Sequence, residues 1–274
     1  MVSKMGVILC LLRIYDIIIL VITMVEINPN TVKSLYLEVC YDDTIIGNAT
    51  GFLVKKGKKY YLITNRHVVT GKNNETGKCL DEKYQSIPNN LKVWIPYYSE
   101  FGIPWKIKKI ELVDYLDNKL WIEHPIYKEK VDVVALEITD ISTTITHKLD
   151  TSHAPVITEK VFIIGYPFGY LVNHQKGRFA IWSTGTVASE PDLNLIIGEI
   201  EVPAFLIDSK TRKGQSGSPV IYYNINGIDC SNGETSVHNS PIIHEVGIYS
   251  GRINAESDLG YVWKWSVIKE ILDN

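Results

Sequence analysis

The sequence contains no CxxC pair, no cysteine–histidine cluster and no HExxH motif. Its four cysteines are widely spaced along 274 residues, at Cys10, Cys40, Cys79 and Cys230. Zinc motifs place thiolate and imidazole ligands close together in the chain, so we expect neither a metal site nor a cofactor. A chain of this length does not need a disulfide framework, so we expect free thiols, which fit a reducing compartment.

An excess of basic charge is also absent. Lys and Arg together number 28 against 31 Asp and Glu, which gives a formal net charge of -3. A general nucleic-acid binder usually has a basic excess or patch, so we expect no nucleic-acid partner. Hydrophobic residues make up 45% of the chain and charged residues 22%, which excludes a disordered, collagen-like or coiled-coil protein.

The chain lacks the alternation of strands and helices that is typical of parallel sheets. Short apolar or alternating segments predict strands instead, for example at 35–41, 59–65 and 131–138. Helical spacing of apolar residues predicts one helix in the globular part, at 261–272. The pattern therefore indicates an all-β fold with a C-terminal α-helix.

Residues 5–25 form a long apolar run, which is long enough to span a bilayer. Arg13 and Asp16 fall near its middle, where each charge is costly in lipid, and no small-residue cleavage site follows. Three interpretations stay open: an imperfect membrane anchor, a degenerate signal peptide, or a start of translation assigned too early, with Met24 as a later start. We expect a cytoplasmic protein, with a membrane-anchored one as the alternative. Neither membrane association nor oligomeric state is fixed by this pattern.

Three segments carry residues suited to nucleophilic catalysis. His67 ends an apolar strand, Asp132 lies inside the apolar segment VDVVAL, and Ser216 stands in GQSGSP. A neutral imidazole can take the proton of a serine hydroxyl during attack, and a carboxylate on its other ring nitrogen fixes the tautomer. Glycines beside the serine allow a sharp turn, and we expect the N–H groups of Gly214 and Ser216 to stabilise an oxyanion.

Other residues of these types fit the pattern less well. Asp140 and Asp150 lie outside apolar strand segments. Ser218 is not flanked by glycine on both sides, because Pro219 follows it. The remaining histidines show no ligand spacing, and we interpret them as surface or hydrogen-bonded residues: His124, His147, His153, His174, His238 and His244.

Six segments in order resemble a trypsin-like (chymotrypsin-fold) serine peptidase of the bacterial type. They are 49–54, 61–69, 132–136, 163–169, 214–220 and 246–252. The resemblance implies two six-stranded antiparallel β-barrels with the active site in the cleft between them, followed by a C-terminal helix. It divides the chain into a hydrophobic segment at 1–30, a first barrel at 31–145 with the His and Asp, and a second barrel at 146–274 with the Ser and the helix.

The same resemblance implies a serine endopeptidase that acts on polypeptides through an acyl-enzyme. His67 becomes the general base, Asp132 its orienting partner and Ser216 the nucleophile, while Gly214 and Ser216 supply the oxyanion N–H groups. Ser250 and the following Gly251 match the segment whose backbone pairs with the substrate as an added strand.

The resemblance also suggests two residues of the primary specificity pocket. Lys210 matches its floor and Arg252 its wall, and a desolvated cation there would favour an acidic residue before the scissile bond. The alternative interpretation of the segment SKTRKG is a solvated basic loop.

Gln215 is a departure from the family pattern, because digestive members have an Asp there that pairs with a newly cleaved N-terminus. We therefore expect a site that forms without this activation step. The alternative function is a catalytically silent or partner-activated module that binds or regulates on the same fold.

Overall fold

The computed structural model describes residues 27–97, 103–149, 153–172, 177–229, 235–254 and 256–274. The apolar run at 5–25 lies outside these ranges, as do Cys10 and Cys230. Cys40 and Cys79 are free thiols. Within the described ranges, no helix combines the length and the apolar character needed to cross a membrane.

A curled antiparallel sheet of seven strands forms the first half of the fold, in the order β5-β4-β1-β2-β3-β7-β6. Its strands are β1 (Ser34–Tyr41), β2 (Thr44–Lys56), β3 (Lys59–Thr64), β4 (Asn90–Pro96), β5 (Trp105–Glu111), β6 (Ile122–Glu123) and β7 (Val134–Ile138). A 3₁₀ helix (Pro29–Val32) precedes β1, and the short helix α1 (Arg66–Thr70) follows β3.

A closed barrel of six antiparallel strands forms the second half, in the order β12-β17-β16-β13-β8-β9. These strands are β8 (Lys160–Gly165), β9 (Ile181–Val187), β12 (Ala204–Asp208), β13 (Pro219–Asn224), β16 (Ile242–Arg252) and β17 (Leu259–Lys264). Two small hairpins project from it, β10 (Leu195–Ile197) with β11 (Ile200–Val202) and β14 (Ile228–Asp229) with β15 (Ser236–Val237). A 3₁₀ turn (Pro167–Gly169) follows β8, and helix α2 (Ser266–Leu272) ends the fold.

The predicted all-β, chymotrypsin-like fold with a C-terminal helix is confirmed, with two differences of detail. The first half is a seven-stranded curled sheet rather than a closed six-stranded barrel. Its edge strand β6 has two residues, too few to bridge to β5 at the other edge. The helix is also shorter than predicted, because residues 260–264 pair with β16 as part of strand β17.

Helix α2 packs into the core that joins the two halves. Ile268 is fully buried there, and Trp265 stacks on Phe52 of β2 with ring centroids 5.3 Å apart. The same cluster contains Ala135 from β7 and Ile248 from β16. The helix therefore closes apolar surface from both halves rather than from one barrel alone.

Ile268→Ala should lower the free energy of unfolding by about 2–5 kcal/mol, because truncating a fully buried side chain loses its contacts and leaves a cavity. Urea unfolding would measure the change. The neighbouring Lys269 is exposed, and Lys269→Ala should stay within about 0.5 kcal/mol of the native protein. Equal effects of the two substitutions would contradict this packing.

Candidate active site

His67 is held at the start of helix α1 by the residues around it. Asn65 precedes the helix in an extended conformation and is fully buried, and its side-chain amide donates to the backbone oxygen of Asp132 at 2.7 Å. Gly71 ends the helix in the left-handed conformation, at φ 64°, which glycine adopts without a steric penalty. This five-residue helix thus fixes the imidazole beside the segment that carries Asp132.

Asp132 receives hydrogen bonds on both carboxylate oxygens. Its Oδ2 lies 2.6 Å from His67 Nδ1, and its Oδ1 accepts from the backbone N–H of His67 at 2.8 Å. The hydroxyl of Ser250, on β16 of the second barrel, also donates to Oδ2. Because the carboxylate favours a proton on Nδ1, the imidazole Nε2 is left as the acceptor.

Ser216 lies on a tight turn that has a glycine in a left-handed conformation before it, at Gly214, and another after it, at Gly217. Gly214 and Gly217 have φ angles of 93° and 82°, values that L side chains rarely adopt. A Cβ on Gly214 would lie 2.3 Å from the backbone oxygen of Tyr166, and one on Gly217 would lie 2.1 Å from that of Thr50. The turn therefore packs directly against β2 of the first sheet.

The Ser216 hydroxyl donates to the backbone oxygen of Ser250 at 3.0 Å. The hydrogen bonds of the described residues do not include one between Ser216 and His67. Ser218, the other serine of the turn, is fully buried, and its hydroxyl has no hydrogen-bond partner among the residues that the structure describes. Ser216 is thus the serine of this segment that faces the cleft.

Two backbone oxygens in the turn are bound by Thr50 of β2. Its N–H donates to Ser216 O at 2.9 Å, and its hydroxyl donates to Gly214 O at 2.8 Å. The Lys213 oxygen accepts from Phe168 N–H at 2.6 Å. Because a trans peptide directs its C=O and N–H oppositely, this bond turns the Gly214 N–H away from Phe168.

The N–H groups of Gly214 and Ser216 donate to no acceptor among the residues that the structure describes. They are therefore available to bind an oxygen in the cleft. Gln215 between them is fully buried, and its side chain bonds to Ser183 Oγ at 2.9 Å and to the backbone N–H of Arg212 at 2.8 Å. Hydrogen bonds within the chain thus occupy the position where an ion pair with a new N-terminus is expected in digestive peptidases.

The cleft has a volume of about 1200 Å³ and is lined by His67, Asp132 and Ser216 together. Ser250 and Gly251 of β16 also line it, as expected for a segment that pairs with an extended ligand. The sequence analysis did not assign a role in the site to Thr50, Asn65 or Phe168. Their signal is that they lie within or beside the resembling segments 49–54, 61–69 and 163–169.

The basic residues beside the cleft do not all face it. Arg252 lines the cleft with Arg212 and Lys213, whereas Lys210 is exposed and is not among the described lining residues. Ser209 and Thr211 on either side are buried, whereas the Lys210 side chain is exposed to solvent. The residue that faces inward is therefore Thr211 rather than Lys210.

Thr211 contacts the hydroxyl of Tyr249, which lines the cleft. Burial raises the pKa of Tyr249 to about 12, while the hydrogen bond with Thr211 and the charges of Arg252 and Arg212 lower it. Arg252 and Arg212 thus place two positive charges near Tyr249 at this end of the cleft. Acidic residues line other parts of it, namely Glu75, Asp81 and Glu199.

Comparisons with known proteins agree with this architecture. Residues 49–224 match the family model described as trypsin-like peptidase domain. A serine endoprotease from Yersinia pestis has a similar structure, with 16% identity and a TM-score of 0.51 over 91% of this chain and 66% of its own. The active form of the Rv3671c protease from M. tuberculosis has 17% identity and a TM-score of 0.49 over 89% and 81%. No curated protein matches the sequence.

Gly217→Ala should destabilise the fold. The left-handed conformation alone costs an L residue about 1–2 kcal/mol, and the added Cβ would lie 2.1 Å from Thr50 O. Urea unfolding should therefore show a loss above about 2 kcal/mol. Gly251 has open space at its Cβ position and no positive φ, so Gly251→Ala is the matched control and should unfold like the native protein.

Proposed function

Because the chain belongs to the trypsin-like peptidase family and is a serine-type endopeptidase, we propose that His67, Asp132 and Ser216 are its catalytic triad. The observation that carries the proposal is the 2.6 Å contact between Asp132 Oδ2 and His67 Nδ1, in the cleft that Ser216 also lines. The N–H groups of Gly214 and Ser216, which have no acceptor within the described part of the chain, support it further.

The proposed reaction begins when the Ser216 hydroxyl attacks the scissile carbonyl carbon. Its proton passes to Nε2 of His67, and Asp132 stabilises the resulting imidazolium. The N–H groups of Gly214 and Ser216 bind the oxyanion of the tetrahedral intermediate. As the C–N bond breaks, the imidazolium returns the proton to the leaving amine. Water activated by His67 then hydrolyses the acyl-enzyme and restores the serine.

Substrate binding has a direct consequence for Ser216 in this scheme. Its hydroxyl donates to Ser250 O in the free protein. A substrate that adds to the cleft edge of β16 as a strand brings a backbone N–H group to the oxygen of Ser250. A substrate N–H on Ser250 O displaces the Ser216 hydroxyl, which then turns to Nε2 of His67. Hydrogen bonds of active sites often tighten only in the substrate complex.

A second candidate function is a partner-activated or silent module that binds polypeptides. The observation that favours it is the same Ser216–Ser250 bond, because the nucleophile is not engaged with its base. All three proposed triad residues are present, however, and the N–H groups of Gly214 and Ser216 have no acceptor among the described residues. The endopeptidase is therefore the better-supported function, and labelling of the serine distinguishes the two.

A fluorophosphonate should add once to the native protein and not to Ser216→Ala, as measured by intact mass. The reagent reacts with a serine that is activated by a base and an oxyanion hole. Peptide hydrolysis by Ser216→Ala should fall by at least about 10⁴-fold.

Ser218→Ala is the matched control. Its hydroxyl is fully buried and unpaired, so this variant should label like the native protein. Labelling of Ser216→Ala would exclude Ser216 as the nucleophile. A folded native protein that does not label would favour the binding module.

We further propose that the cleft prefers an acidic residue before the scissile bond. Arg252 and Arg212 both line the cleft, and their charges lower the pKa of Tyr249. The Thr211 hydroxyl contacts the Tyr249 hydroxyl. A carboxylate in a partly desolvated pocket gains charge-assisted hydrogen bonds from guanidinium groups. The specificity then rests on Arg252 and not on the exposed Lys210.

Peptides that differ only by Glu or Gln before the cut should separate these two cations. The native protein should cleave the Glu peptide with a higher kcat/KM, and Arg252→Gln should reduce that preference about 10- to 100-fold, as for loss of a hydrogen bond to a charged group. Lys210→Gln should leave it unchanged. A preference lost in Lys210→Gln and kept in Arg252→Gln would reverse the assignment.

A further inference from the structure

Every polar group of Thr50 has a hydrogen-bond partner. The residue is fully buried on β2, within the segment 49–54. Its N–H donates to Ser216 O at 2.9 Å, and its carbonyl accepts from the Thr64 hydroxyl at 2.8 Å. The hydroxyl makes two further bonds, one as donor and one as acceptor. Both of these bonds restrain the surroundings of Gly214.

The first bond of the hydroxyl fixes the peptide that follows Gly214. Thr50 Oγ1 donates to Gly214 O at 2.8 Å. This carbonyl belongs to the peptide between Gly214 and Gln215, so the bond limits the rotation of that peptide. Glycine has no Cβ to restrict its φ and ψ angles, and Gly214 lies at φ 93°. The bond from Thr50 therefore supplies a restraint that the glycine itself lacks.

The second bond of the hydroxyl holds the turn that fixes the peptide before Gly214. The N–H of Tyr166 donates to Thr50 Oγ1 at 3.2 Å, directly before the 3₁₀ turn that follows β8. Within this turn, Phe168 N–H donates to Lys213 O at 2.6 Å. That oxygen belongs to the same peptide as the Gly214 N–H, so the turn sets the direction of this N–H.

Phe168 has a strained backbone. It is a non-glycine residue at φ 54°, and its side chain is 57% exposed, so burial of the ring does not account for the strain. Strain of this kind persists where the surrounding bonds over-determine the conformation, and it is concentrated at functional sites. The bond from Phe168 N–H to Lys213 O and the bond from Tyr166 N–H to Thr50 are two such restraints.

We infer that the hydroxyl of Thr50 is a positioning group for the oxyanion hole, because it restrains the peptides on both sides of Gly214. The inference rests on the proposed function, in which the Gly214 N–H binds the oxyanion. Without the hydroxyl, Gly214 O loses a donor and Tyr166 N–H loses an acceptor, both at buried positions. Unpaired buried groups are costly, so both peptides shift toward other partners and the Gly214 N–H turns from its working direction.

Thr50 acts through Gly214 and not on the substrate itself, since it is not among the described residues that line the cleft. A displaced oxyanion donor weakens binding of the transition state more than binding of the substrate, so kcat falls while KM stays nearly constant. A purely structural role would instead lower the fraction of folded protein and leave the kcat of each folded molecule unchanged.

The test compares peptide hydrolysis by the full chain with hydrolysis by Thr50→Val and Thr50→Ser. Thr50→Val removes the hydroxyl and should lower kcat about 10- to 100-fold, with KM within about threefold of the native value. Thr50→Ser restores the hydroxyl and should bring kcat back to within about threefold of native. The rate of fluorophosphonate labelling at Ser216 should follow kcat, because the reagent's oxygen also occupies the oxyanion hole.

Ser34→Ala is the matched control for stability. The Ser34 hydroxyl is fully buried and donates to Ile164 O at 2.7 Å, so it also joins the two halves through a hydroxyl–carbonyl bond. Ser34 is likewise not among the described cleft-lining residues. The variant should lower Tm and leave kcat unchanged.

Thr50→Ala tests the same role should Thr50→Val fail to fold. Valine places a methyl group against Gly214 O, whereas alanine removes the hydroxyl without that contact. The kcat of Thr50→Ala should fall as in Thr50→Val, again with little change in KM.

Several results would overturn the positioning role. Native kcat in a folded Thr50→Val or Thr50→Ala excludes it, and so does a rise in KM without a loss of kcat. Equal losses in Thr50→Ser and Thr50→Val would assign the effect to side-chain shape, and an equal loss in Ser34→Ala would assign it to general loosening of the fold.

Labelling of the native protein separates this inference from the proposed function. A native protein that neither labels nor hydrolyses peptides overturns the proposed function and the positioning role together. A native protein that labels and hydrolyses, beside Thr50 variants that do so equally fast, overturns the positioning role alone.

Discussion

The buried carboxylate of Asp132 is the constraint on which the arrangement of the cleft depends. A charge that is 4% exposed must be paired and hydrogen-bonded to be tolerated. Its donors come from His67 in the first half and from Ser250 in the second. Strand β16 of the second half therefore completes the hydrogen bonding of a carboxylate that orients an imidazole of the first half.

Thr50 provides the second connection between the halves. Its N–H and hydroxyl bind two carbonyl oxygens of the Ser216 turn, and its own carbonyl accepts from the Thr64 hydroxyl at 2.8 Å. Ser34 adds a further bond, from its hydroxyl to the oxygen of Ile164 at 2.7 Å. The Ser216 turn thus takes its shape from a strand of the other half, as well as from its own glycines.

The sequence was most informative where a residue's role depends on its neighbours in the chain. Alternation predicted the strands, and the apolar setting of Asp132 and the glycines around Ser216 singled out the residues that meet in the cleft. Local patterns were ambiguous at 261–272, because Val262 and Trp265 fit helical spacing while β17 is fixed by pairing with β16. They could not show that Lys210 faces solvent, or that His153 and His244 are neighbours, since Lys210 and His153 lie in segments outside the strands whose placement depends on tertiary packing.

The bonds of Thr50 connect the Ser216 turn to the other half of the fold. Gly214 and Ser216 belong to the second half by sequence, yet their carbonyl oxygens find their partners on β2. A partly unfolded state that separates the halves leaves these oxygens without donors and the glycine turn without the surface that shapes it. Under the proposed mechanism such a state lacks the arrangement that hydrolysis requires, so a chain that opens during folding or turnover would be unable to degrade itself or its neighbours.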